Sequence, residues 1–401
     1  MEIPGLLIEV ALGGVLAVWV AYFIIIFKNY TGTPKLSDVE VDLKDFPMVS
    51  VILPTRNESE RVEGCIKSLK NQTYPNFEVI IVDDSTDNTI EIIRNLIGDD
   101  NRFRIVKQEK LPEGWIGKSY AMQQGSKLAR GKWLLMVDAD IEIHPDTIAK
   151  AVDYAEKENV ELVSLIPHLV CKSFWEKVVQ PIVGGLVLFV SPPFLVNSTK
   201  SKLALAMGAF ILIKKDAFER VGGYKRIRDK ITDDVEISRL LKREGYGVRL
   251  LNGQDMMHVR MYRNLKEIWE GWGKNIFLGL TYIWNIKSRL LSFITAIFGS
   301  LAIFLFISFP TLMLIASLLW FLFSTSIPRD VFYLSTTTWL FSFVTQLLGH
   351  LLFKGQPRYV FLAFLGGIVV SLIFLYSGFK VLLKKGVTWK GRAYYGEQET
   401  S

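Results

Sequence analysis

The chain has 401 residues, half of them hydrophobic, with a mean hydropathy of +0.27, a net charge of +7 and an isoelectric point near 9.1. That apolar content is high for a wholly water-borne globule, and it is concentrated in uncharged stretches toward both ends, with an ordinary charged sequence between them. The basic residues do not form one stripe interleaved with aromatics, which argues against a nucleic-acid footprint, and the two cysteines, Cys65 and Cys171, supply neither a disulfide framework nor metal spacing.

Residues 10–27 form an uncharged apolar run of about 18 residues, the minimum for a membrane span. It lacks a basic start and a small-residue cleavage site, so 1–30 reads as an anchor and not as a removed signal peptide. A polar linker, 31–47, follows. Strands are then predicted at 49–53, 77–82, 103–106 and 133–137, alternating with helices at 58–70, 88–96 and 118–129. Short apolar runs alternating with helical periods predict crossover units and an α/β fold with a mostly parallel, Rossmann-like sheet. Cys65 lies on the apolar side of helix 58–70, a core-packing position.

The segment 174–196 is apolar but interrupted by Pro181, Gly184-Gly185 and Pro192-Pro193. A full crossing here would put Asp140 and the later Asp233-Asp234 on opposite sides of a bilayer, so an interfacial or re-entrant segment is predicted, with a buried helix of the soluble domain as the alternative. Residues 290–323 hold no charge. As helix they would measure about 51 Å against a hydrocarbon core of about 30 Å, which predicts two spans turning near Pro310. Runs 331–353 and 359–379 add two more. Five spans place the domain 48–285 and a basic tail, 384–401, on the same side. Lys28, Lys287, Arg289, Lys380, Lys384, Lys385, Lys390 and Arg392 beside the apolar runs make that side cytoplasmic. Lys354 and Arg358 then fall outside.

The chemistry-bearing residues cluster where these strands end. Asp138-Ala139-Asp140 follows strand 133–137, and Asp83-Asp84 closes strand 77–82. In an open parallel sheet, ligands bind beyond the carboxyl ends of the strands. Two carboxylates one residue apart suit a hard divalent cation bridging a diphosphate, although each pair also reads as a solvated turn. Pro54, Asn57 and Glu58 follow the first strand, where a base or ribose could be hydrogen-bonded, or where a helix is capped. Gly114, Gly117 and Lys118 punctuate a loop entering helix 118–129, a form that lets backbone N–H groups and one lysine approach phosphates, without the spacing of a Walker loop. Asp233-Asp234 opens helix 233–244 and offers either first-turn capping or a general base. His258 is a candidate third metal ligand.

In order and spacing these motifs resemble membrane-anchored family-2 inverting glycosyltransferases of the GT-A fold, close to the hopanoid-associated and carotenoid (diaponeurosporenoate-type) branch and more distantly to ceramide glucosyltransferase. The resemblance rests on Pro54-Thr55-Arg56-Asn57-Glu58, Val82-Asp83-Asp84-Ser85-Thr86-Asp87-Asn88-Thr89, Leu111 to Lys118, Asp138-Ala139-Asp140, Gly222-Gly223-Tyr224, Asp233-Asp234, Tyr262-Arg263-Asn264-Leu265, Trp269 to Asn275 and Val387 to Arg392. It implies that Pro54, Asn57, Glu58 and Asp84 hold the nucleoside, supported by Asp83, and that Gly117 and Lys118 line the pocket near the diphosphate. It further implies that Asp138 and Asp140 serve a magnesium or manganese ion, with Asp140 the direct ligand, and that Asp234 is the base beside Asp233. Many relatives carry Gln-x-x-Arg-Trp where this chain has Trp272-x-Lys274-Asn275, as the lipid-directed branch does; Trp272 and Lys274 are the expected diphosphate or acceptor-side residues. The expected protein is a multi-pass enzyme of the cell membrane with its catalytic domain in the cytoplasm. It would use a UDP- or GDP-linked sugar and a lipid acceptor, with one N-terminal and about four C-terminal spans (286–383). A processive polysaccharide synthase and a non-catalytic scaffold are the alternatives.

Overall fold

A computed structural model of the protein describes residues 3–230, 232–278, 288–323, 329–383, 385, 387–389 and 392–394. The chain separates into two compact units. One comprises Thr31–Val170 and Ser191–Met261; the other comprises Met1–Tyr30, Cys171–Val190 and Tyr262–Ser401.

Helix α1 (Ile3–Gly32) leads into the first of these, the sheet unit. There strands β1 (Val49–Thr55), β2 (Phe77–Asp83), β3 (Phe103–Lys107) and β4 (Trp133–Val137) alternate with helices α2 (Val62–Lys70), α3 (Thr89–Ile97) and α4 (Gly117–Leu128). Next come β5 (Ile141–Ile143), α5 (Thr147–Lys157), β6 (Leu162–Ile166) and β7 (His168–Leu169). After helix α6 (Phe174–Val190) the chain returns through α7 (Pro193–Val196) to β8 (Phe210–Lys214), α8 (Lys215–Arg220), α9 (Asp233–Arg243), β9 (Val248–Asn252) and β10 (Met257–Val259).

Seven strands form one sheet in the order β3-β2-β1-β4-β8-β6-β9, and β5-β10-β7 form a smaller one. β1 runs parallel to β2 and β4, and β6 to β9, while β8 is antiparallel to both its neighbours. The strands are buried on both faces, as a sheet covered by helices requires. Along β1, Val51 and Leu53 enter one core with Cys65 and Ile66 of α2, whereas Ile52 enters the other with Ala121 and Met122 of α4. The expected core position of Cys65 is therefore observed. Register pairs Thr55 with Asp83 and Ile52 with Met136, so β1, β2 and β4 finish side by side and deliver their following loops to one edge.

Two local expectations are corrected. Helix α2 begins at Val62 and not at residue 58, because Asn57 takes a left-handed φ of 52° and Glu58 closes a turn, its carbonyl accepting from the N–H groups of Arg61 and Val62. The segment 31–47 is not a free linker. Leu36 is fully buried, Asn252 donates its N–H to the Pro34 carbonyl, and Lys150 donates to the carbonyls of Ser37 and Val39.

The other unit is helical. It adds α10 (Leu265–Leu278), α11 (Arg289–Ile303), a π turn (Phe304–Ser308), α12 (Phe309–Phe323), α13 (Arg329–Leu352) and α14 (Ala363–Leu382), ending in the hairpin β11 (Val387–Trp389) and β12 (Arg392–Tyr394). Among the described residues five helical runs are long and apolar enough to cross a membrane: Leu6–Gly32, Phe174–Val196, Arg289–Phe323, Arg329–Leu352 and Pro357–Leu382. The predicted reversal near Pro310 does not occur. Arg289–Phe323 is one 35-residue run, so the C-terminal region holds three such runs where four were expected. A proline ring displaces the carbonyl four residues back, and the widened π turn immediately ahead of Pro310 makes room for it without ending the helix. α11 and α14 pack antiparallel through small residues: the Ser300 hydroxyl donates to the Ser371 carbonyl at 2.8 Å, and Gly378 abuts Ala296. The expected cationic flanks Lys287, Lys384 and Lys390, the domain limit at residue 285 and most of the tail 384–401 lie outside the described residues.

Candidate active site

Buried strands that stop level with one another present their following residues as a row. After β4, Ala139 points into the core, so Asp138 and Asp140 on either side of it share the opposite face. Across from Asp138, Gly117 begins α4 and Lys118 follows, its Nζ 2.6 Å from Asp138 Oδ1. The N–H of Ile116, just ahead of α4, donates to the Arg228 carbonyl and pins the start of this helix.

Asp233 and Asp234 open α9. Asp234 Oδ2 accepts the N–H of Gly208 at 3.0 Å, and Oδ1 accepts the N–H of Val235 at 2.8 Å. Gly208 is itself positioned by its neighbour: Met207 donates its N–H to the Ser164 hydroxyl on β6, which donates in turn to the Phe210 carbonyl. A side chain at Gly208 would start 3.1 Å from Asp234 Oδ2 and 3.3 Å from Lys118 Nζ, so anything larger than glycine presses on both groups. Sequence reasoning missed this residue. Its one signal is a lone glycine among apolar residues ahead of a strand.

The electrostatics follow from this crowding. Burial works against the Lys118 charge, but Asp138, Asp233 and Asp234 outweigh it and hold the ammonium firmly protonated. Burial raises the Asp233 carboxyl, with Lys118 opposing. Burial first, then the neighbouring Asp233, pushes Asp234 up to about 6. The cluster therefore holds more carboxylates than Lys118 can neutralise. Such a surplus fits a hard cation, for which carboxylate oxygens are the natural donors. Among the described residues no three His, Cys, Asp or Glu side chains form a complete metal cage. His258 lies on β10, where the antiparallel register sets it opposite Glu142, with its ring 5.3 Å from that of His168.

Asp83 and Asp84 serve different ends. Asp83 is buried and accepts from the hydroxyls of Thr55 (2.7 Å) and Ser85 (2.6 Å), locking β1 to the loop after β2. Asp84 donates its N–H to the Thr55 carbonyl, and its carboxylate pairs with Arg56, a residue to which sequence reasoning gave no role. The Asn57 side-chain carbonyl accepts the Thr86 N–H at 2.9 Å, and Glu58 donates its N–H to the Thr89 hydroxyl. Pro54, on β1 opposite Val82, completes this edge. The expected nucleoside-binding residues thus form one bonded loop pair. Trp272 and Lys274 belong to the helical unit, on α10, where Trp272 donates its indole N–H to Gln180 Oε1 at 2.8 Å and meets Tyr262 edge-on.

Residues 50–222 match the family model described as Glycosyl transferase family 2. The chain is 28% identical over 235 residues to 4,4'-diaponeurosporenoate glycosyltransferase of Staphylococcus haemolyticus (strain JCSC1435), covering 58% of this chain and 61% of that protein. It is 25% identical over 264 residues to the protein of the same description from Staphylococcus aureus (strain USA300), covering 63% and 67%. The match to the first of these relatives spans only about three fifths of its length. Among solved structures, the mannosyltransferase PcManGT from Pyrobaculum calidifontis, in complex with GDP-Man and Mn2+, superposes with a TM-score of 0.53 at 18% identity over 94% of this chain and 99% of that one, a likeness of fold alone.

Proposed function

We propose that the protein, whose residues 50–222 match the glycosyl transferase family 2 model on a GT-A, Rossmann-like sheet, transfers a sugar from a UDP- or GDP-linked donor to a hydroxyl or carboxyl group of a membrane lipid, with inversion at the anomeric carbon. The observation that carries this reading is the gathering of Asp138, Asp233 and Asp234 around Lys118 at the carboxyl edge of the sheet. The lipid acceptor draws support from the five apolar helices and from relatives whose name specifies an isoprenoid carboxylate.

Asp234 takes the proton of an attacking hydroxyl as the acceptor oxygen bonds to the anomeric carbon and the bond to the diphosphate breaks on the opposite face. A carboxylate acceptor arrives already deprotonated and asks only for positioning. The two N–H groups on Asp234 hold its carboxylate in one orientation while leaving lone pairs for the proton. A single base beside the acceptor suits one displacement, hence inversion. A carboxyl poised at about 6 is largely ionised at neutral pH and still basic enough to work. Lys118 supplies positive charge toward the leaving diphosphate, and Asp84, Asn57 and Glu58 line the nucleoside side. A magnesium or manganese ion held by Asp140 and Asp138 would neutralise charge on the departing diphosphate. The sheet unit faces the cytoplasm in this reading, where nucleotide sugars are found.

The test incubates membranes containing the protein with a panel of radiolabelled UDP- and GDP-sugars and follows label into the lipid extract. Label should depend on a divalent cation and vanish in Asp140→Ala, and where the new bond is to a hydroxyl it should vanish in Asp234→Asn as well. Label that persists in Asp140→Ala, hydroxyl-linked label that persists in Asp234→Asn, or a wild-type protein inert toward the whole panel overturns the proposal.

A further inference from the structure

The start of α6 and the turn joining α13 to α14 enclose an open cleft of about 580 Å³. Its walls are tied by Gln356, which donates to the Cys171 carbonyl at 3.0 Å. Three cations reach it: Lys172, Lys177 and Arg358. None of the three makes an ion pair with a carboxylate among the described residues. Glu176, the neighbouring acid, is buried and accepts the backbone N–H groups of Lys172 and Ser173. Lys177 Nζ and Arg358 Cζ each lie 5.3 Å from the centre of the Tyr359 ring, so both cations meet one aromatic side chain. Close to these residues along the chain, exposed side chains are apolar: Phe174, which meets the Tyr359 ring edge-on, is 43% exposed, Leu351 61% and Phe361 61%.

Three like charges lining one cleft favour an anion there. Exposed apolar side chains close by, and adjoining helices long enough to cross a membrane, favour an anion that carries an apolar attachment. We propose that this cleft binds the phosphate of an anionic membrane-lipid headgroup, with Lys172, Lys177 and Arg358 on the phosphate and Phe174, Leu351 and Phe361 beside its acyl chains. The binding is independent of sugar transfer. Within the helical unit Gln356 bonds to Cys171, so the α13–α14 turn, with Lys354 and Arg358, lies beside the start of α6.

The full-length protein in detergent, analysed by native mass spectrometry, tests this. Wild type should retain one phosphatidylglycerol in preference to phosphatidylcholine. Lys172→Gln, Lys177→Gln and Arg358→Gln combined should weaken that retention by roughly fivefold per charge removed. A charge-matched control, Lys107→Gln, Lys127→Gln and Lys225→Gln, should bind as wild type does. Equal retention of the two lipids, or unchanged retention in the triple variant, overturns the proposal. Inorganic phosphate binding as tightly as phosphatidylglycerol overturns the lipid as its source. Should the triple variant fail to fold, the exposed Arg358→Gln alone decides, with roughly fivefold weakening expected and none overturning the assignment.

Discussion

Lys118 shows how one residue can govern a site. Its ammonium touches Asp138 and is attracted by Asp233 and Asp234, three carboxylates drawn from two elements far apart in sequence. The balance left over is readable in Asp234. Its folded-state carboxyl, raised by burial and then by Asp233, titrates at about 6, above the ordinary value of 3.8, so folding favours the protonated form. Stability from this group is fully present below about pH 4 and is lost as pH rises through about 6. Without divalent cation, Asp234→Asn should melt near wild type at pH 5 and above it at pH 7.5; parallel melting curves at the two pH values would contradict the assignment. Gly208 makes a steric prediction. In Gly208→Ala the new methyl presses on Asp234 Oδ2 and Lys118 Nζ, so transfer should fall by about tenfold to a thousandfold for a misplaced base while the melting temperature moves little. Kinetics paired with thermal melting separates this from simple unfolding.

At the scale of elements, local sequence signals and tertiary demands part company in instructive places. Strands 49–53, 77–82 and 133–137 were legible because burial on both faces demands nearly unbroken apolar runs, and the structure extends them by two residues at most. The start of α2 was not legible. A left-handed Asn57, held by Ser85 and Thr86 from the next loop, delays the helix to Val62, and no helical period encodes that bond. Pro310 misled in the opposite sense, since a π turn absorbs the ring. In the helical unit, contact between α11 and α14 depends on the absence of side chains. Gly378→Val would drive a branched side chain into Ala296, separating the pair at a cost of about 1–3 kcal/mol, seen as a lower melting temperature in detergent. A melting temperature equal to wild type would show that the two helices do not rely on this contact.

For the whole molecule the question is which side each segment faces. Counting apolar runs exported Lys354 and Arg358, yet Gln356 is bonded to Cys171, the residue next to the sheet unit. Cysteines introduced at Lys354 and at the exposed Lys172, both in the helical unit, should therefore react with a membrane-impermeant maleimide from the same side of sealed vesicles; labelling from opposite sides would refute the shared face. The α/β class, the apolar helices and the acid pairs at strand ends can be read along the chain, because each is written in a short period or a few adjacent residues. Folding is what pairs Lys118 with Asp138, bonds Gly208 to Asp234, sets Arg56 on Asp84 and brings the α13–α14 turn to the start of α6. Those contacts join residues far apart along the chain, and their energies exist only once the sheet order and helix packing have brought them within hydrogen-bonding distance.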